Sequence, residues 1–424
     1  MSILVPKMIE VKQSYPASPR LDYHGLLAEQ FDKEGLTSKI SPGMRIAVGV
    51  GSRGIANLKE IVEALIRVLI AAGAQPFVIP AMGSHGGATP EGQTKVLAEY
   101  GITAESLGVP IDADMDVEKI GTALGGRDVV FSAAAMRADG IVVVNRIKPH
   151  TDFRGTLGSG IQKMLTIGFG KQTGAANAHR AAAHAGYETA IREFAKVALA
   201  NARVLCGIAI LEDQHHRTSE IRVLGPEVIV SEEQVLLERA RALMPRLPLD
   251  EIDLLIVDQI GKEISGTGMD TNIIGRDITG YSTSLQHSNG TTPHIARIFV
   301  RDLSHPTNGN GIGIGLADFT TDRAVKALDL RSMYINATTS LGLQVAKIPI
   351  HFPSDRDAIH EALASLASAY PETIRMVRIA NTLSLERVLV SECCSEMLGK
   401  RAGVSIIGQA RAMEFDGAGN LLLF

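Results

Sequence analysis

Long hydrophobic runs are missing from this chain of 424 residues. No stretch of about 18 uninterrupted apolar residues occurs, so no membrane span is expected. Residues 1–12 alternate apolar and polar side chains and lack the apolar core of a secretory signal. Cysteine is scarce: Cys206, Cys393 and Cys394 form no C-x-x-C pair and suggest no disulfide framework. Charge of one sign is not in excess either. The net charge is −4, which excludes the basic footprint of a nucleic-acid binder. No run of like charges is long enough to serve as an interaction tail. The chain therefore reads as a cytoplasmic protein that engages neither nucleic acid nor membrane. Internal repeats and low-complexity tracts are absent, and nothing in the sequence fixes the oligomeric state.

Several catalytic signatures are also lacking. There is no G-x-S-x-G nucleophile elbow. His179 and His184 are five apart, on different helix faces, and so do not make the i, i+4 metal pair of H-E-x-x-H. The adjacent His215 and His216 read as a solvated loop pair. The segment 155–163 ends in Gln162-Lys163-Met164, which is not a triphosphate-binding loop. Gly49-Val50-Gly51-Ser52-Arg53-Gly54 does match G-x-G-x-x-G after a strand. However, no acid for a ribose follows the second strand at 78–80, and Arg53 would crowd a pyrophosphate. A nicotinamide dehydrogenase is disfavoured on both counts.

What is abundant is glycine, 42 residues, gathered in short clusters at 49–54, 83–87, 155–160, 266–275 and 309–315. Glycine allows close backbone approach, so five clusters suggest a site assembled from loops. Apolar residues at 45% provide for a large core, and at about 150 residues per domain the length predicts two or three domains. Short buried strands are expected at 45–50, 76–80 and 140–145, alternating with helices at 58–72 and 90–100. A long Ala-rich helix is expected at 175–200 and another at 232–243. Pro245 and Pro248 mark a boundary. Beyond it, 254–257 opens a second α/β unit, with later strands at 312–316 and 345–350 and helices at 355–369 and near the C-terminus. The fold class is α/β: two α/β domains, 1–246 and 247–424, with largely parallel sheets and an active-site cleft between them.

Three polar residues, Arg53, His85 and His150, each follow a predicted strand within a few residues. Ligands of open parallel sheets bind outside the carboxyl ends of strands, so these side chains can share one site. Lys163 ends a Gly-rich loop whose amides suit a mononucleotide phosphate. His179 lies near the start of the Ala-rich helix.

In this order, Ser52-Arg53, Gly83-Ser84-His85, Pro149-His150, the loop ending in Lys163, and His179 resemble the nickel-pincer lactate racemase family. The resemblance implies that Arg53 binds a substrate carboxylate. His85 and His150 would be the acid/base pair, one on each side of the substrate. Lys163 would carry a covalently attached nickel-pincer nucleotide, a pyridinium mononucleotide with nickel, and His179 would be its protein metal ligand. In the second domain, Gln259 and Lys262 would contact substrate. The implied activity is racemisation or epimerisation of a small 2-hydroxy acid by reversible hydride transfer through a keto acid. Neutral imidazoles suit the proton transfers, and nickel suits imidazole and sulfur. The implied partners are the 2-hydroxy acid and cofactor-building accessory proteins.

The second half resembles the family less well. Its polar loop 261–276, with Ser265, Thr267, Asp270, Thr271, Asn272 and Arg276, favours a longer sugar acid as an alternative substrate. A small-anion binding protein without turnover is a further alternative. It would use Arg53 and Lys262 but has no need for Lys163 with His179.

Overall fold

A computed structural model describes residues 5–51, 54–278, 293–340, 342–366 and 371–424. The chain divides into two compact units, Ala17–Met244 and a second built from Met1–Pro16 with Pro245–Phe424. The prolines at 245 and 248 stand at the division, as their breaking of the preceding helical periodicity predicts. The N-terminal segment departs from expectation. Strand β1 (Met8–Gln13) belongs to the second unit rather than to the first domain, because its alternating residues Ile9, Val11 and Gln13 are buried where it pairs with that unit's strands.

The unit 17–244 is built on five strands: β2 (Arg45–Val50), β3 (Gln75–Pro80), β6 (Gly140–Arg146), β7 (Val204–Glu212) and β8 (Thr218–Leu224), in the order β3-β2-β6-β7-β8. A small antiparallel pair, β4 (Val117–Ala123) and β5 (Arg127–Ser132), lies between β3 and β6 in sequence. The first four strands of the sheet run parallel and β8 is antiparallel at the edge. Continuous runs such as Arg45–Val50 and Gly140–Arg146 form these strands because both faces of the sheet are covered. Ile46, Val48 and Val142 enter one apolar core with Leu27 and Phe31 of α1 (Tyr23–Lys33) and Ile61 and Leu65 of α2 (Leu58–Ala71). Ala47 and Val143 face the opposite core with Leu165 and Phe169.

Helix α3 (Pro90–Glu99) follows β3, with Pro90 at its first turn and Thr89 as N-cap. The expected single helix over 175–200 is two helices, α4 (Lys171–Ala185) and α5 (Tyr187–Asn201). Gly186 breaks them at φ 81°, ψ 153°, a conformation essentially reserved for glycine. The helix also starts earlier than expected, so His179 sits in mid-helix rather than near its start. Helix α6 (Ile229–Ala242) completes the unit.

The second unit carries an eight-stranded sheet in the order β12-β11-β10-β9-β13-β14-β1-β15. Its strands are β9 (Glu251–Ile260), β10 (His294–Leu303), β11 (Phe319–Thr321), β12 (Ile350–Phe352), β13 (Met376–Ile379), β14 (Arg387–Ser391) and β15 (Val404–Arg411). Strands β12 to β13 are parallel neighbours, and the remaining pairings are antiparallel. Helix α7 (Asp355–Ala364) packs Ala358 and Ile359 against Leu254, Ile256 and Phe299. Two expected strands differ. Residues Ile314–Leu316 wind into a 3₁₀ turn after Gly313, whose φ is 96°, and the strand begins only at Phe319. Residues Leu343–Ala346 likewise turn, and only Ile350–Phe352 pairs. Near the C-terminus a short helix, Ser395–Gly399, is followed by the longer β15.

Candidate functional site

In the unit 17–244 the chain passes from β2 to β3 on one side and returns to β6 on the other. The carboxyl ends of β2 and β6 therefore flank a topological switch point, where open sheets bind ligands. Beyond β6, Lys148 and Ser159 exchange backbone hydrogen bonds of 3.0 and 2.8 Å, closing residues 148–159 into a tight excursion. The Asn145 amide, at the end of β6, donates to the Gly160 carbonyl at 2.8 Å and pins the return. A short helical turn, Ile161–Lys163, follows, and then a π-type turn, Met164–Gly168.

The glycines of this excursion serve protein contacts. A side chain at Gly155 would overlap the Glu188 carboxylate, one at Gly158 the Lys148 carbonyl, and one at Gly160 the Glu233 carboxylate. The amides are spent in the same way. Thr156 donates its N–H to Glu188 at 3.2 Å, Gln162 donates to Glu233 at 3.0 Å, and Ser159 donates to Lys148. Three amides of the expected phosphate cradle over 155–162 are thus bonded within the protein, two of them to the carboxyl groups of Glu188 and Glu233. Glu233 is fully buried, and burial pushes its carboxyl up to about 7 against the lowering effect of the Gln162 bonds.

Held this way, Lys163 reaches His150. Its Nζ lies 2.6 Å from His150 Nε2. The Asp152 N–H donates to His150 Nδ1 at 3.0 Å, so a neutral ring carries its proton on Nε2. The His150 ring stacks on Phe153 at 4.4 Å, and Phe153 stacks on Tyr187 at 5.5 Å. Tyr187 meets His179 edge-on at 5.8 Å, with its hydroxyl 3.4 Å from His179 Nδ1. His150, Lys163 and His179 are therefore gathered around one aromatic wall. Burial holds His179 below its ordinary pKa, charge on Lys163 acts in the same direction, and Asp152 opposes both. Its imidazole is neutral at pH 7.

His85 comes from a different strand end. It is exposed on the turn after β3, and its backbone N–H donates to Met82 at 3.2 Å. That turn is fastened to the Lys163 segment, since Gly83 N–H donates to the Gly168 carbonyl at 3.3 Å. Gln259 and Lys262 lie in the other unit, at the end of β9. Gln259 is exposed, and the Lys262 N–H donates to Thr307 Oγ1 at 3.1 Å. Arg53 lies outside the described residues. In the polar loop, Arg276 is buried and committed to Asp318 and the Leu316 carbonyl, and Thr267 donates to the Met269 carbonyl at 2.7 Å. Among the described residues, no group of three or more His, Cys, Asp or Glu side chains is placed to hold a metal ion.

Sequence reasoning missed Asp152, Phe153, Tyr187, Glu233 and Lys171. The aromatic pair becomes visible only once Gly186 turns the chain and brings Tyr187 back beside His179. Lys171 reads in sequence as one more surface lysine, yet it is fully buried.

The fold has a counterpart among solved structures. The structure is similar to the lactate racemase apoprotein from Thermoanaerobacterium thermosaccharolyticum, with a TM-score of 0.53 and 14% identity, over 89% of this chain and 99% of that one. The chain has the lactate racemase fold. Within that fold, residues 51–242 match the family described as "Domain of unknown function (DUF362)". This span contains His85, His150, Lys163 and His179. No curated protein matches by sequence.

Proposed function

We propose that the protein is an isomerase, a racemase or epimerase of a small 2-hydroxy acid that uses a nickel-pincer nucleotide attached to Lys163. The observation that carries this reading is the contact of the Lys163 amine with His150 beside a neutral, half-buried His179. The donor set fits the group. A metal ligand must be an unprotonated imidazole, which burial secures at His179. Lys163, whose Nζ lies 2.6 Å from His150 Nε2 on the same aromatic wall as His179, would be the attachment point. With His179 as the protein ligand, the metal's other ligands come from the organic group. Such a group, when bound, supplies a hydride acceptor. Lys163 would anchor it and Arg53 would clamp the substrate carboxylate through a planar, two-pronged contact. His85 and His150 would exchange the hydroxyl proton. For His150 to accept a proton at Nε2, its ring would release the Asp152 amide from Nδ1.

The similarity to the lactate racemase apoprotein supports this reading over anion binding without turnover. Arg276 is committed to Leu316 and Asp318, and Thr267 to Met269, which gives the longer sugar acid no added support. The test uses protein co-produced with cofactor-building partners and given 2-deuterated 2-hydroxy acids. Interconversion of the two stereoisomers should proceed with the deuterium kept at C2, because hydride leaves and returns. Racemisation that exchanges C2 deuterium with solvent would mean proton abstraction, and the proposal would fail.

A further inference from the structure

Lys171 is the first residue of α4, the helix that carries His179 about two turns further on. Its backbone is left-handed, with φ 53°, and its side chain is fully buried. The Nζ donates to the Pro80 carbonyl at the end of β3, at 2.9 Å, and to Gln93 Oε1 at 3.4 Å. Gln93 is itself fully buried on α3. Its amide donates to the Gly83 carbonyl at 2.9 Å and the His85 carbonyl at 3.3 Å. The turn so held has left-handed backbone at Gly83, Gly86, Gly87 and Ala88. Backbone of this kind keeps its shape only where its surroundings over-determine it. Gly86 lies against the backbone of Gly92 and Gln93, with no room for a side chain on either glycine.

Burying an ammonium costs more than burying a methionine of the same length. What the amine adds is donors for two acceptors, one at the end of β3 and one that relays to the His85 turn. We propose that Lys171 is a positioning residue: one buried amine ties the His85 turn to the head of the His179 helix and so sets the spacing of the two histidines. The proposal rests on the roles given to His85 and His179 above. Burial lowers the amine to about 8, while Asp112 and Asp114 pull it the other way. The group thus keeps its proton at neutral pH, and with it the donors the relay requires.

The experiment compares wild type, Lys171→Met and Gln93→Leu. Backbone hydrogen exchange is first followed on protein without cofactor. Amides of residues 83–89 should exchange at least tenfold faster in both variants, with β2 and β6 unchanged. Unchanged exchange at 83–89 in Lys171→Met, or in Gln93→Leu should Lys171→Met not fold, overturns the proposal. Gln93→Leu carries the test alone should Lys171→Met not fold, because it removes the relay and leaves the lysine with Pro80. Loaded protein is then assayed. Both variants should keep the Lys163 adduct and the nickel while kcat falls at least tenfold and KM stays within about twofold. Loss of nickel together with activity would show a general packing role and overturn the positioning role. A wild type that takes up neither adduct nor nickel removes the cofactor reading, and the exchange arm still decides whether Lys171 holds the turn.

Discussion

Glu233 shows how single residues shape this site. Its carboxyl is fully buried beneath Gly160 and Gln162, with Oε2 bonded and Oε1 lacking a hydrogen-bond partner. The folded chain keeps the proton up to about 7, whereas an unfolded glutamate releases it near 4.5. Between those values the unfolded state binds fewer protons, so stability is fully present below pH 4.5 and falls as pH rises through 7. The shift corresponds to about 3 kcal/mol. Glu233→Gln should remove this component. Denaturant unfolding at pH 5 and pH 8 should show a smaller loss in the variant than in wild type, and equal losses would refute the assignment. Residues of this kind are what the sequence hides. Lys163, His150 and His179 were legible because each follows a strand end or a glycine-rich loop in a recognisable order. Glu233 and Lys171 were not, because burial of a charged side chain is decided by elements distant in sequence.

At the level of elements, the buried parallel strands β2, β3 and β6 match the expected ranges almost to the residue, since a strand covered on both faces is a continuous apolar run, whereas β7 and β10 were not expected. The Ala-rich tract was misread as one helix because alanine favours helix throughout and Gly186 is its sole interruption near the middle. That interruption turns the chain and sets Tyr187 against His179. A side chain at Gly186 would meet nothing within 4 Å, so its cost is purely conformational. Gly186→Ala should lower stability by about 1–3 kcal/mol. It should also expose His179 to faster modification by an imidazole-directed reagent. A thermal melt and a reactivity equal to wild type would show that the break is dispensable. The short strands of the second unit were misplaced for a related reason: three-residue strands such as β11 and β12 carry too few side chains to show a period.

Across the whole molecule, the departure from the expected organisation is the first strand. Strand β1 sits between β14 and β15, and Met8 packs with Leu254 and Met376. The unit 17–244 contains both of its major cores without help from residues 1–16. A fragment 17–244 should therefore fold with a cooperative melt, whereas 245–424 alone should not until residues 1–16 are supplied, in trans or by linkage. Cooperative folding of 245–424 by itself would contradict this division. The fold class was thus legible in the sequence, and the placement of the N-terminus was not, because pairing between the two ends of a chain leaves no local pattern.

The central claim, that Lys163 and His179 together hold a nickel-bearing nucleotide, is tested most directly by intact mass and nickel content on one preparation. Protein co-produced with cofactor-building partners should carry a covalent mass increment, mapped to Lys163, and about one nickel per chain. The increment should vanish in Lys163→Ala, and the nickel should fall in His179→Ala. An unmodified Lys163 in a preparation where an authentic lactate racemase, produced alongside, becomes loaded would contradict the account.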